Sequence, residues 1–234
     1  MYEGEYIYWP WARLIDATER WIETHAPHSA TVVDYMCGTG FLLSRTRVVR
    51  PDLACFGCDL DPAFIDYGLG RYRGLQLTAQ SVFDFVPPKR PDVIVCTGGL
   101  HHLPRDRRLA FLRKCAEELS SDGVILIGEE VIGEHTGGAS RRAAVLKLYF
   151  AMLERIIAAE APPEVLGSAT TAMRKELLED GTSKDSLSEL RAMLERGLVV
   201  EDLQRTWPAA PQPYGDYLAV CRRGPAAGGQ PADL

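Results

Sequence analysis

The stretch V-V-D-Y-M-C-G-T-G at positions 32–40 decides how this sequence folds. A short run of β-forming residues ends in a carboxylate, Asp34, and two glycines, Gly38 and Gly40, precede a helical pattern that begins at Phe41. Glycine lets the main chain turn tightly and approach a ligand without an intervening Cβ atom. The stretch therefore predicts a strand, a ligand-binding loop and a helix, in that order.

Strand and helix patterns alternate outward from this unit. Further strand patterns follow at 53–58, 75–79, 91–96, 124–127, 198–203 and 217–221. Helical patterns follow the first, second and fourth strands along the chain, and such alternation is typical of parallel strands joined by right-handed crossovers. The last two strand patterns are typical of an antiparallel edge. We predict an α/β fold with a doubly wound, mostly parallel seven-stranded sheet and helices on both faces.

The chain is predicted to form one domain that spans residues 1–224, with additions to the sheet at both ends and in the middle. An amphipathic helix within residues 1–29 forms a predicted N-terminal cap. After the fifth strand, residues 140–180 have helical periodicity with two apolar stripes, which predicts a two-helix insert that acts as a lid and has more than one face covered. The Gly-, Pro- and Ala-rich tail, 225–234, is predicted to be disordered.

Composition narrows the classes of partner. The net charge is -6, and basic residues form no run longer than the arginine pairs at 107–108, 141–142 and 222–223. We interpret these pairs as solvated surface charges and predict no nucleic-acid partner. The sequence contains no signal-peptide pattern and no apolar stretch of membrane-spanning length, which predicts a cytoplasmic protein without a membrane partner.

The residues of the loop favour a nucleoside ligand over a dinucleotide. Asp59 ends the second predicted strand, where a carboxylate accepts the hydrogen bonds of a ribose diol. A dinucleotide site needs a third glycine at a position that Leu43 occupies here. A ligand that carries a charged amino-acid end suits Asp34 better than an anionic pyrophosphate.

These motifs resemble those of the class I, Rossmann-like S-adenosylmethionine-dependent methyltransferases of the small-molecule type. D-Y-M-C-G-T-G at 34–40 resembles the family's E/D-x-G-x-G-x-G loop, C-D-L-D-P at 58–62 its second motif, and T-G-G-L-H-H-L-P at 97–104 its segment after strand four. The resemblance runs from Tyr8 through Arg222, and it implies S-adenosylmethionine as methyl donor, S-adenosylhomocysteine as product and no metal. Met36 departs from the family because it replaces the first glycine of the loop.

The resemblance also implies a set of cofactor-binding positions. Gly38 and the loop around it would contact the methionine part, Asp59 the ribose and Leu60 the adenine. Residues 81–83 fall where the family reads the adenine. The complete predicted set is Tyr8, Asp34, Met36, Gly38, Gly40, Asp59, Leu60, Ser81, Val82, Phe83, Thr97 and Gly98.

Candidates for catalysis stand at the same edge of the predicted sheet. His101 and His102 follow the fourth strand, where a neutral imidazole could take a proton from a hydroxyl, an amine or a ring carbon. The alternative is that they orient the loop or cap a helix, because alignment alone supplies much of the rate of methyl transfer. Glu129 could hold a substrate amine, orient a histidine or form a salt bridge to the insert. Trp9 and Tyr149 either line the acceptor pocket or pack in the core.

Missing motifs narrow the acceptor class. The segment T-G-G-L differs from the N/D-P-P-Y/F of enzymes that methylate amino groups of nucleic acids, and no acidic triad for magnesium follows strand four. We predict a small-molecule acceptor, by analogy one from secondary metabolism. A tRNA or protein acceptor and a cofactor-binding protein with a non-methylating reaction stay as alternatives. The sequence is compatible with a monomer and with a homodimer.

Overall fold

The computed structural model of the chain describes residues 6–224, so the predicted tail and the first five residues of the predicted cap lie outside it. The helices are α1 (Ala12–His25), α2 (Phe41–Val49), α3 (Pro62–Arg71), α4 (Arg105–Glu118), α5 (Gly138–Ala158), α6 (Pro163–Leu178) and α7 (Leu187–Glu195). The strands are β1 (Thr31–Tyr35), β2 (Ala54–Asp59), β3 (Gln76–Ala79), β4 (Val93–Thr97), β5 (Val124–Val131), β6 (Leu198–Trp207) and β7 (Gly215–Arg223). Within this range, no helix combines the length and apolar character needed to cross a membrane.

The seven strands form one mixed sheet in the order β3-β2-β1-β4-β5-β7-β6. Strands β1 to β5 are parallel, and β7 pairs antiparallel with both β5 and β6. The predicted α/β class, the seven strands and the antiparallel edge are therefore confirmed. The chain runs outward from β1 to β3 and then returns to β4 on the other side of β1. The carboxyl ends of β1 and β4 thus flank the topological switch point, where open α/β sheets bind ligands.

Helices cover both faces of the sheet. Alternate strand residues point to opposite faces, and Val33 lies in one core cluster with Phe111 of α4 and Leu190 of α7. Its neighbour Val32 lies in a second cluster with Leu14 of α1 and residues of α2. Burial on both faces explains why the central strands are continuous apolar runs.

Three helices lie between β5 and β6. Helices α5 and α6 occupy the region whose periodicity predicts two helices, whereas α7 has no counterpart in the prediction. The two predicted apolar stripes of α5 differ in burial. The first stripe is buried and consists of Val145, Leu148, Met152 and Ile156. In the second stripe, which consists of Leu146, Phe150, Leu153 and Ile157, Phe150 and Ile157 are 54% and 61% exposed. The expectation that both stripes are covered is wrong for the residues that the structure describes, and the role of α5 and α6 as a lid stays a prediction.

Candidate active site

The loop after β1 takes the left-handed backbone conformation at three positions. The φ angle is +57° at Met36, +54° at Gly38 and +75° at Gly40. This conformation costs a residue with a Cβ atom about 1 to 2 kcal/mol, so Met36 is the strained member. A Cβ atom on Gly99 would lie 2.9 Å from the Cβ atom of Met36, so a glycine after β4 leaves the room that Met36 occupies.

Asp59, at the end of β2, holds this loop. Its Oδ2 atom accepts the backbone N–H of Gly38 at 2.8 Å, and its Oδ1 atom accepts the backbone N–H of Asp61 at 3.0 Å. Each carboxylate oxygen has two lone pairs, so both atoms keep the capacity to accept a ribose hydroxyl. The next side chain, Leu60, is 75% exposed and is free to cover a flat ligand.

Asp34, near the end of β1, is a buried carboxylate. Its Oδ1 atom has no hydrogen-bond partner among the described residues. Burial, followed by the negative charge of Asp59, raises the pKa of Asp34 well above its usual range. A cation bound beside it would offset the cost of burying the charge. These features fit the ammonium and ribose of S-adenosylmethionine.

A cavity of about 940 Å³ opens along this edge of the sheet. Its size falls in the range of about 300 to 1,000 Å³ that is usual for small-molecule sites. Along the carboxyl ends of β1 to β4 it is lined by predicted cofactor positions, namely Asp34, Met36, Gly38, Asp59, Leu60, Ser81, Val82, Thr97 and Gly98. The remaining wall includes the predicted residues Trp9, His101, His102 and Tyr149.

Four predicted residues stand behind this wall. Tyr8 packs against apolar residues of α5 and α6, and Gly40 precedes the first turn of α2. Phe83 packs against the main core, with the guanidinium carbon of Arg107 4.2 Å from its ring centroid. Glu129 lies behind His101. A part for these residues in ligand binding stays a prediction.

His101 is held on both ring nitrogens. Its Nδ1 atom lies 2.6 Å from Oε2 of Glu129, whose Oε1 atom accepts the backbone N–H of Leu100 at 2.7 Å. Its Nε2 atom lies 3.1 Å from the Nζ atom of Lys184. Burial, and next the charge of Lys184, lowers the pKa of His101 well below its usual range. We therefore assign a neutral ring whose Nδ1–H donates to Glu129 and whose Nε2 accepts from Lys184.

His102 has a different environment from its neighbour. It is exposed, and its Nδ1 atom lies 3.1 Å from the carbonyl oxygen of Gly181. The two imidazole rings are 4.2 Å apart between centroids. Of the two candidate bases, the ring that contacts a carboxylate is therefore the buried His101.

Two buried cations beside His101 were not predicted from the sequence. The side chain of Lys184 is 3% exposed and pairs with Glu130 at 2.8 Å. Arg108 is 1% exposed and donates to the carbonyl oxygen of His101 at 3.1 Å. The interpretation of the arginine pairs as solvated charges is wrong for Arg108, and also for Arg141, which is 6% exposed. No local pattern marks these residues, because their partners lie far away along the chain.

Asp216→Asn should remove part of the pH dependence of stability. Asp216 is fully buried in β7, both carboxylate oxygens lack a partner among the described residues, and burial raises its pKa well above its usual range. Between about pH 4 and that raised pKa the folded chain binds a proton that the unfolded chain releases. Stability therefore falls as pH rises, by up to about 1.4 kcal/mol per pH unit.

Urea unfolding from pH 5 to pH 8 measures this effect. The free energy of unfolding should fall less steeply with pH in Asp216→Asn than in the parent chain. The exposed Asp66 on α3 offers a matched control, and Asp66→Asn should follow the parent curve. Parallel curves for Asp216→Asn and the parent chain would contradict the prediction.

Sequence comparison agrees with the site. Residues 33–125 match a family described as a methyltransferase domain. A curated relative, the 2,7-dihydroxy-5-methyl-1-naphthoate 7-O-methyltransferase of Streptomyces carzinostaticus, is 35% identical over 135 residues. This match covers 54% of the chain and 39% of the length of the relative.

Solved structures share the fold. A TehB-like S-adenosylmethionine-dependent methyltransferase from Corynebacterium glutamicum has a TM-score of 0.57 and 20% identity, covering 92% of this chain and 94% of the other. The N-methyltransferase NodS from Bradyrhizobium japonicum, in complex with S-adenosyl-l-homocysteine, has a TM-score of 0.59 and 13% identity, covering 92% and 88%. Residues 33–125 thus match the methyltransferase-domain family, and the chain shares its fold with these solved methyltransferases.

Proposed function

We propose that the chain transfers a methyl group from S-adenosylmethionine to a hydroxyl group of a small aromatic acceptor in natural-product metabolism. The observation that carries the proposal is the buried pair of His101 and Glu129 at the cavity. A carboxylate that holds Nδ1–H leaves Nε2 as the proton acceptor, which is the arrangement of a general base. The 35% identity with a 7-O-methyltransferase of a dihydroxynaphthoate supports the choice of acceptor.

The residues of the chain then have separate tasks. S-adenosylmethionine supplies an electrophilic methyl carbon, and Asp34 and Asp59 would hold its ammonium and ribose. A lone pair of the acceptor oxygen forms the new bond to carbon, while the carbon–sulfur bond breaks and its electron pair stays on sulfur. The hydroxyl proton passes to Nε2 of His101. Glu129 keeps the ring in the correct tautomer and stabilises the imidazolium that forms.

His101→Ala should lower kcat by about 100-fold to 10,000-fold, the usual contribution of a general base. Its affinity for S-adenosylhomocysteine should stay unchanged, because the ring hydrogen-bonds to Glu129 and Lys184 and to none of the residues predicted to hold the cofactor among those that the structure describes. The assay uses S-adenosylmethionine with 2,7-dihydroxy-5-methyl-1-naphthoate and a panel of simpler phenols, and mass spectrometry detects the methyl ether.

His102→Ala is the matched control, because His102 is exposed and its Nδ1 atom lies 3.1 Å from the carbonyl oxygen of Gly181 and not beside a carboxylate. We expect a much smaller loss of kcat in this variant. Undiminished turnover of His101→Ala would exclude the base. A parent chain that binds S-adenosylhomocysteine but methylates no hydroxyl compound of the panel would refute the proposed function.

A further inference from the structure

Lys184 brings a buried positive charge to the cavity wall beside His101. We propose that its ammonium group binds the acceptor oxygen in ionised form, and that the site therefore selects acidic hydroxyl compounds, such as phenols and enols, over aliphatic alcohols. This inference rests on the proposed function and adds to it the chemical class of acceptor and a residue that contacts the reacting oxygen.

A hydrogen bond to the backbone of Lys184 fixes the position of this residue. The backbone N–H of Lys184 donates to Oε1 of Glu176 at 2.8 Å. Glu176 is fully buried, accepts the hydroxyl of Thr182 at 2.8 Å and pairs with Arg141 of α5. Residues from α5, α6 and the segment after α6 therefore fix the position of the ammonium group before any acceptor binds. A preorganised charge of this kind is the most effective stabiliser of an oxyanion.

The ammonium group also has a donor to spare. It carries three N–H bonds. Among the described residues, Nζ contacts Oε2 of Glu130 at 2.8 Å and Nε2 of His101 at 3.1 Å. Two of the three N–H bonds are thus used, and the third is available to a ligand in the cavity that Lys184 lines.

The contact with His101 explains why the acceptor must be acidic. Lys184 occupies the Nε2 lone pair that a general base must offer. The acceptor either displaces this N–H with its own hydroxyl or arrives already ionised, and in both cases its oxygen lies next to Nζ. The lowered pKa of His101 makes the ring a weak base. A phenol, with a pKa of about 10, gives up its proton far more readily than an aliphatic alcohol, whose pKa lies far higher and close to that of water.

Lys184 stays charged despite its burial. Burial acts to lower its pKa, but Glu130, Tyr149 and Glu176 outweigh it and hold the pKa above its usual range. The ionisable groups that interact with the ammonium come from several elements, namely Glu129 and Glu130 of β5, His101 after β4, Tyr149 of α5, Glu176 of α6 and Asp216 of β7. Of these, Glu130 competes most directly with an anionic oxygen because it already pairs with Nζ.

Charge and protons balance in the resulting step. The acceptor proton leaves to solvent before binding or passes to His101 on binding. The negative charge of the oxygen and the positive charge of the sulfonium both disappear when the oxygen–carbon bond forms and sulfur keeps the electron pair. A neutral ether no longer attracts Lys184, so the product leaves more readily than an anion would.

The probe for this inference is 4-nitrophenol, whose neutral and ionised forms absorb at different wavelengths. The probe is titrated with pH in the presence of the parent chain saturated with S-adenosylhomocysteine. We expect the bound probe to have a pKa at least about one unit below that of the free probe, a tenfold preference for the anion. The matched probe 4-nitroanisole has no ionisable hydroxyl and should bind more weakly than 4-nitrophenol.

Two variants separate binding of the anion from a structural role of Lys184. The double variant Lys184→Met, Glu130→Gln removes both charges of the ion pair, so that no unpaired charge stays buried. It should abolish the tenfold preference for the anionic probe. Glu130→Gln alone removes the competing carboxylate and should increase the preference. If Lys184 only supported the fold, the two variants would not shift the pKa of the bound probe in opposite directions.

A bound probe whose pKa equals or exceeds the free value, an undiminished preference in the double variant, or no binding of the probe would each overturn the inference. Failure of this inference can be distinguished from failure of the proposed function. If the chain methylates phenols but the pKa of bound 4-nitrophenol equals the free value, only the proposed role of Lys184 is refuted. A chain that binds S-adenosylhomocysteine without methylating any hydroxyl compound removes the proposed function itself.

Discussion

Asp59→Ala is expected to weaken binding of S-adenosylhomocysteine at least about 100-fold. The carboxylate already accepts the backbone N–H groups of Gly38 and Asp61, and we expect it to accept two ribose hydroxyls as well. A hydrogen bond to a charged group contributes about 1.5 to 3 kcal/mol. Losing two of them costs at least about 3 kcal/mol, which corresponds to about 100-fold in affinity. Isothermal titration calorimetry measures the change in Kd.

Asp59→Asn and Asp66→Ala are the informative controls. Asparagine at position 59 keeps one oxygen acceptor, so its affinity should fall between those of the alanine variant and the parent chain. Asp66 is an exposed carboxylate on α3 outside the cavity wall, and its removal should leave the Kd unchanged. A folded Asp59→Ala variant with the Kd of the parent chain would show that Asp59 does not contact the ligand.

Arg108→Met is expected to destabilise the chain by about 3 to 5 kcal/mol, the usual cost of breaking a buried ion pair from one side. The guanidinium group contacts Oδ2 of Asp185 at 2.5 Å and donates to the carbonyl oxygens of His101 at 3.1 Å and Ser183 at 2.6 Å. Methionine fills a similar volume but leaves these oxygens unsatisfied. Arg105, 3.1 Å from Asp185, offsets part of the loss and favours the lower end of the range.

The same variant should affect the two halves of the cavity differently. Arg108 joins the segment of His101 to the segment that ends at Asp185, and Lys184 lies between Ser183 and Asp185. Turnover should therefore fall steeply at temperatures where Arg108→Met is still folded, while the Kd for S-adenosylhomocysteine stays near that of the parent chain. Urea unfolding, calorimetry and a turnover assay together measure these effects.

Arg107→Met is the matched control for this prediction. Arg107 is the adjacent residue on α4, but it is exposed and its guanidinium group lies over the ring of Phe83 at 4.2 Å. An exposed cation–π contact contributes about 0.5 to 1 kcal/mol, so this variant should lose no more than that. Equal urea midpoints for the two variants would contradict the role of Arg108.

The half of the candidate site that is predicted to hold the cofactor was accessible to sequence analysis, because its residues belong to one short segment or end adjacent strands. Asp34 lies near the end of β1, Gly38 lies in the loop that follows, and Asp59 ends β2, whose pairing with β1 follows from consecutive strand patterns. A carboxylate and a glycine at the carboxyl ends of neighbouring parallel strands must meet at the same edge of the sheet. The direct contact between Asp59 and the N–H of Gly38 illustrates this rule.

The role of Met36 shows where such reasoning stops. The sequence identifies Met36 as a departure from the family loop, but it does not reveal how the chain accommodates the side chain. The structure places Met36 against Gly99, more than sixty residues away in the chain and at the end of a different strand. Contacts between segments that are distant along the chain produce no periodic pattern in the sequence.

By itself, the sequence determined the α/β class, the antiparallel edge of the sheet and the ligand loop with Asp59, because apolar periodicity, glycines and strand ends are local features. Only the tertiary structure decided which charged residues meet beside His101, on the side of the cavity where we propose that the acceptor binds. His101 and Lys184 are 83 positions apart, and Arg108 and Asp185 are 77 positions apart. Whether such a charge is solvated, or buried and paired, depends on the partner that folding brings to it, since an unpaired charge would be too costly to bury.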